Sequence, residues 1–125
     1  MRKQFPFEKP EVWQDGRKPV VGVCSCSRGF PKDERFGLTS QLTGAAVSVA
    51  DNLAEGTGRS SLKVQARFSS QACGSSMETA SDLITATDLQ FAPRPATDPL
   101  LDQAYDLRVR IHNLRESRLR RAQES

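Results

Sequence analysis

Leu38, Leu42, Ala45, Val49 and Leu53 recur at steps of four, three, four and four residues. That spacing lines five apolar side chains along one side of an α-helix; a strand, with its period of two, would scatter them over both faces. A second row, Thr43, Val47, Ala50 and Ala54, runs beside the first at the same steps. Apolar cover therefore wraps well over half of this segment, more than one core-facing stripe requires. The polar strip that remains is narrow: Gln41, Ser48, Asn52 and Glu55.

Three more segments show helical spacing between Gly and Pro punctuation. The first, about residues 10–28, carries Trp13, Val20 and Val23 but also Gly16, Pro19 and Gly22. In a helix interior each glycine costs about 1 kcal/mol and a proline about 3 kcal/mol relative to alanine. A kink or break is therefore expected at Pro19, which lacks an N–H and clashes with the carbonyl four residues back. The segment with the doubled apolar rows, about 38–55, is the second helix. The third, about 61–89, has a thin stripe of Leu62, Ala66, Cys73, Met77, Ala80 and Ile84, interrupted by Ser69 and Ser76. In the fourth, about 99–117, Asp98 reads as the N-cap and Pro99 as the first helical residue. Leu100, Ala104, Leu107, Ile111 and Leu114 then repeat at four and three, and the continuation lands on Arg118 and Arg121. The buried stripe is expected to stop near Leu114 and the tail beyond it to fray. Four helices with short connections predict an all-α, antiparallel up-down-up-down four-helix bundle, one domain over residues 1–125.

The stretch NLAEGTGRSS, residues 52–61, joins the second helix to the third. Its glycines follow a helix rather than a strand, and it matches neither the P-loop nor the dinucleotide template. Helix stop, turn and restart is the main reading, with Gly56 as a left-handed C-terminal residue and Ser60 or Ser61 as the next N-cap. An anion site on the free N–H groups of the third helix is the alternative that would use Arg59. For the polar strip, three readings stand: a solvated or hydrogen-bonded face, the lining of an inter-subunit surface or pore, and a ligand site.

Catalytic chemistry finds little support. The single histidine, His112, follows Ile111 and borders a basic segment, so it reads as a surface residue rather than the base of a triad or dyad. Glu55 has no second carboxylate on its strip to form an acid/base pair. Cys24, Cys26 and Cys73 lack the paired spacing of a structural zinc site, although Cys3His is arithmetically possible; they read as reduced packing residues, and no metal or cofactor is expected. Trp13 and Phe36 read as core or interface anchors. No stretch approaches the ~20 apolar residues of a membrane span, and the N-terminus lacks the apolar core of a secretory signal, so the expected location is cytoplasmic.

Charge is unevenly placed. Residues 108–121 hold six arginines against Glu116, a local charge of +5 in a chain whose net charge is +3. In an up-down-up-down bundle one pole would gather Arg2, Lys3, Lys9, Arg59, Lys63, Arg67, Arg115, Arg118, Arg120 and Arg121. The other would gather Asp82, Asp88, Asp98 and Asp102. Arginines at the end of the fourth helix favour its dipole, but cations at the start of the third oppose theirs, which argues for an anionic partner.

The runs FEKPEVWQ (7–14), FPKDERFGLTSQL (30–42) and AAVSVADNLAEGTGRSS (45–61), with Ala72, Gly74, Ser75 and Glu78, resemble the bacterial family named for proteins encoded by intervening sequences of 23S ribosomal RNA genes. The resemblance implies an all-α bundle that commonly forms homopentamers. It is also similar to the accessory subunit of diversity-generating retroelements, which binds reverse transcriptase and nucleic acid. Thr43 and Gly44 depart from the basic pair usual in that family, and Ala50 from a frequent proline. Taken together, the expectation is a non-enzymatic, oligomeric adaptor that meets structured RNA or an RNA-binding protein through Arg59, Lys63, Arg67, Arg115, Arg118, Arg120 and Arg121. Self-association would use Thr43, Val47, Ala50 and Ala54. The alternative is a protein–protein scaffold with no nucleic-acid role.

Overall fold

The computed structural model describes residues 1–124, and the ordered elements among them are all helical. They are α1 (Glu11–Gly16), α2 (Lys18–Ser27), α3 (Leu38–Thr57), α4 (Leu62–Asp88) and α5 (Arg94–Glu124), with short 3-10 turns at Pro6–Glu8 and Lys32–Glu34. α1 and α2 together form the first arm of a four-helix bundle. α4 packs against both α3 and α5, and α2 closes the square against α3 and α5. Cross-helix pairs run in opposite order along the α3–α4, α4–α5 and first-arm–α5 edges, the last through Asp15–Arg110 and Gly22–Leu100. Ser48 meets Ser75 where Gly56 meets Phe68, and Thr87 meets Thr97 where Ser69 meets Arg118. Neighbouring helices are therefore antiparallel.

The first arm breaks at Arg17, two residues before Pro19. Pro19 thus becomes the second residue of a new helix, where a missing N–H costs nothing, and the Val20 amide closes a tight turn onto the Arg17 carbonyl at 3.2 Å. Gly16 and Gly22 serve close packing. A Cβ on Gly16 would lie 2.6 Å from Leu53 Cδ1, and one on Gly22 would lie 2.4 Å from Leu100 Cδ2.

Two expected boundaries move. Gly56 is not a left-handed terminus; it lies buried inside α3, where a Cβ would stand 3.1 Å from Phe68 Cβ. Its role is to let α4 approach. The one positive φ among the described residues belongs to Gln90 (φ 61°), which ends α4 with the Phe91 amide reaching back to the Ala86 carbonyl at 2.9 Å. The last helix begins at Arg94 rather than Pro99, which sits inside it. Packing overrides the Asp98-Pro99 signal: Thr97 is fully buried, and its hydroxyl meets that of Thr87 at 3.0 Å. Nor does the helix stop at residue 117: α5 continues to Glu124.

The core has two apolar layers. One unites Val23, Phe30, Leu42, Ala46, Leu83, Ala86 and Ala92; the other unites Val49, Leu53, Ala72, Leu107 and Ile111, with Trp13 and Cys73 against it. Between them the residues are small: Ser76, Thr79, Ala104 and Pro19 line a void of about 10 Å³. The serines that thin the α4 stripe are buried crossing points. Ser76 donates to the Ala104 carbonyl at 3.0 Å, and its small side chain lets the two longest helices lie close together. Trp13 is an anchor as expected, edge-on to Phe7 at 4.9 Å, whereas Phe36 is 85% exposed.

Candidate nucleic-acid interface

The antiparallel packing of α4 on α5 brings the start of one to the end of the other, and the end of α3 joins them. Ser61 caps α4, accepting from the Val64 amide at 3.4 Å. No acidic residue occupies the first turn of α4. Lys63 and Ala122 line one groove there, which fixes the last turns of α5 beside the first of α4.

The expected cations divide by environment. Lys63 and Arg67 are exposed one helical turn apart, and Arg120 and Arg121 are exposed on α5. Arg59 lies in the connection after α3, 3.6 Å from Glu55 and stacked over Phe68 at 5.0 Å. Arg115 spans to α4, its Nε donating to Ser70 Oγ at 2.6 Å while Nη1 pairs with Glu116 at 2.6 Å. Arg2 is committed to Glu8, whose carboxyl is held down to about 2 by the Arg2 hydrogen bond and then by the Phe5 amide.

Arg118 is the correction. It is only 8% exposed, and Nη1 donates to Ser69 Oγ at 2.7 Å and to the Gln65 carbonyl at 3.2 Å. Burial, then the neighbouring Arg121 charge, pushes its affinity for a proton down. Its guanidinium fills the space beside Gly56, where a Cβ would come within 3.5 Å of Nη1. A long stem packed inside with the head on helix oxygens makes this a cross-brace between α5 and α4, not a free phosphate ligand. The signal was present in the sequence, since Arg118 falls on the continuation of the Leu107–Ile111–Leu114 stripe.

The other expected sites resolve differently. Ala50 is buried in the chain's own core and Thr43 turns its hydroxyl onto the Thr39 carbonyl at 2.9 Å, while Ala54 is half-buried and Val47 remains 40% exposed. The polar strip is partly a bridge: Ser48 meets Ser75 at 2.9 Å, and Asn52 donates to the Ser48 carbonyl at 2.8 Å. His112 is exposed, 3.9 Å from Glu116. Cys24, Cys26 and Cys73 are free and half-buried, and burial raises the thiol pKa of Cys26 and Cys73, against thiolate. No helix is long and apolar enough to cross a membrane among the described residues.

The fold defines a small helical-bundle protein with exposed cations gathered at the start of α4 and the end of α5. The chain belongs to the 23S rRNA-intervening sequence protein family, which matches residues 8–113. That span includes Arg59, Lys63 and Arg67 and stops before Arg115, so much of the arginine-rich end of α5 lies outside it. No curated protein matches the chain.

Proposed function

We propose that this protein is a non-enzymatic, self-associating adaptor that holds structured RNA, or a ribonucleoprotein, against its basic pole. Membership of the 23S rRNA-intervening sequence protein family supports an RNA-associated role. The observation that carries the reading is the placement of Arg59, Lys63 and Arg67 at the α4 N-terminus without an acidic residue in its first turn. Free helix N–H groups and side-chain cations there act on a phosphate with the same sign. Arg115, Arg120 and Arg121 extend the surface from α5; Arg118 supports it from beneath. The proposed assembly is a homo-oligomer, a pentamer by family resemblance, and the proposed compartment is the cytoplasm.

The test is a filter-binding titration with a structured RNA at several salt concentrations. Changing Arg59, Lys63 and Arg67 together to Gln should leave the helical signal unchanged and weaken binding. It should also lower the slope of log K against log salt by up to about 2.1–2.7 units, since each neutralised phosphate contributes about 0.7–0.9. Equal affinity and slope in the triple variant would reduce the pole to a solvated surface. The scaffold reading without nucleic acid is favoured instead by an exposed apolar groove at the α4–α5 edge, and wild-type protein that ignores RNA at low salt would select it.

A further inference from the structure

Met77, Ile84, Leu101 and Tyr105 line an open groove of about 620 Å³ between α4 and α5. Three of these side chains are at least half exposed, which is costly for large apolar groups lying this close together. One end of the groove carries Arg108, drawn over the Tyr105 ring at 5.7 Å. The other end is acidic. Asp102 lines it directly, and Asp88 and Asp98 border the adjoining hollow, with Arg94 as the one cation. Asp88, Asp98 and Asp102 join no ion pair among the described residues.

The opposite edge of the same bundle carries a complementary shape. Between α2 and α3 the loop at residues 31–37 projects Phe36, 85% exposed, with the Arg35 guanidinium 5.0 Å from its ring. Lys32 and Arg35 of the same loop are exposed and, with Arg28 at the end of α2, join no ion pair among the described residues; Asp33 is the exposed acid of the loop. Glu34 accepts from the Leu38 amide at 3.2 Å, which ties the loop to the first turn of α3. An exposed aromatic ring with Arg35 stacked on it stands on one edge. An apolar groove with an acidic end opens on the other.

We infer that the occupant of the α4–α5 groove is the Phe36 loop of a second copy of this chain. The inference rests on the self-association proposed above and names its surfaces. Phe36 enters between Met77, Ile84 and Tyr105, and Arg35 and Lys32 meet Asp102, Asp98 and Asp88. Because knob and groove lie on opposite edges of the square α2–α3–α4–α5, the contact is head-to-tail. Repeated, it closes into a ring when the rotation per step divides a full turn. Val47 stands on the knob-side helix α3, available to extend the contact.

The test uses two variants of the full chain: Phe36→Asp, which spoils the knob, and Ile84→Arg, which spoils the groove. Both positions are open to solvent, and circular dichroism checks that each variant keeps its helices. By light scattering, wild type should exceed the 13.8 kDa of one chain, each variant alone should fall to one chain, and an equal mixture should recover a complex of two. The mixture pairs one intact knob with one intact groove and can grow no further. If a variant loses helical signal, Arg35→Glu serves for the knob, with Asp102→Arg expected to restore assembly. Oligomeric wild type with unchanged variants, or variants that stay monomeric when mixed, overturns this pairing while leaving self-association intact. Monomeric wild type overturns self-association itself.

Discussion

Replacing Arg118 with alanine separates bracing from binding at the cationic pole. The side chain is 8% exposed, so the two methylenes that alanine lacks are withdrawn from water, at roughly 0.8 kcal/mol each. The hydrogen bond to Ser69 Oγ at 2.7 Å involves a charged donor and contributes about 1.5–3 kcal/mol; the one to the Gln65 carbonyl, at 3.2 Å, is weaker. Against these stands the cost of burying a cation with no carboxylate on it, which its depressed proton affinity records. Ser69 stays satisfied in the variant because its hydroxyl also reaches the Gln65 carbonyl at 3.3 Å. The net expectation is a loss of about 2–3 kcal/mol. At about 2.1 cal/mol/K per residue of unfolding entropy, that lowers Tm by roughly 8–11 °C. Thermal melts at matched protomer concentration measure it, since self-association would make Tm concentration-dependent. RNA affinity, compared well below either Tm, should hold the wild-type salt slope. A variant within 0.5 kcal/mol of wild type refutes the brace. One that melts normally but loses a unit of salt slope shows Arg118 to be a phosphate ligand after all.

Two stability predictions follow from side-chain surroundings. Gly74→Ala, with nothing within 4 Å of the new Cβ in mid-helix, should stabilise by about 0.5–1 kcal/mol, whereas Gly56→Ala presses a Cβ to 3.1 Å from Phe68 Cβ and should destabilise despite better helix propensity. Urea midpoints decide both, and a stabilised Gly56→Ala would mean that α4 gives way easily. Asp82 has an Oδ2 with no hydrogen-bond partner, and its pKa is raised first by burial and then by Glu78. A raised folded pKa means that the folded state holds the proton more tightly, so this carboxyl lowers stability as pH rises through its window. Asp82→Asn should accordingly melt higher than wild type at pH 7, with the gap narrowing towards pH 4; a constant gap would remove ionisation as the cause.

The bundle and the presence of its four arms were legible in the chain because apolar spacing is a local, one-dimensional signal. Leu42, Ala45, Val49 and Leu53 are buried as their 3-4-4 steps require, and Ser61 caps α4 where the hydroxyl-rich turn ends. What sequence could not settle were choices between two local readings that only a neighbour decides. Gly56 as a helix terminus and Gly56 as a crossing point look alike until Phe68 and Arg118 stand against it. Asp98-Pro99 is a sound start signal, yet the helix begins earlier, at Arg94, with Thr97 buried in its first turns against Thr87. Arg118 shows the same limit most sharply: its position on the core stripe could be counted from Leu107, but whether a guanidinium there meets RNA or a serine depends on which helix lies opposite. Periodicity fixes which side of a helix faces inward. The identity of the partner on that side belongs to the tertiary structure, since it is set by residues 49 to 53 positions away in the chain.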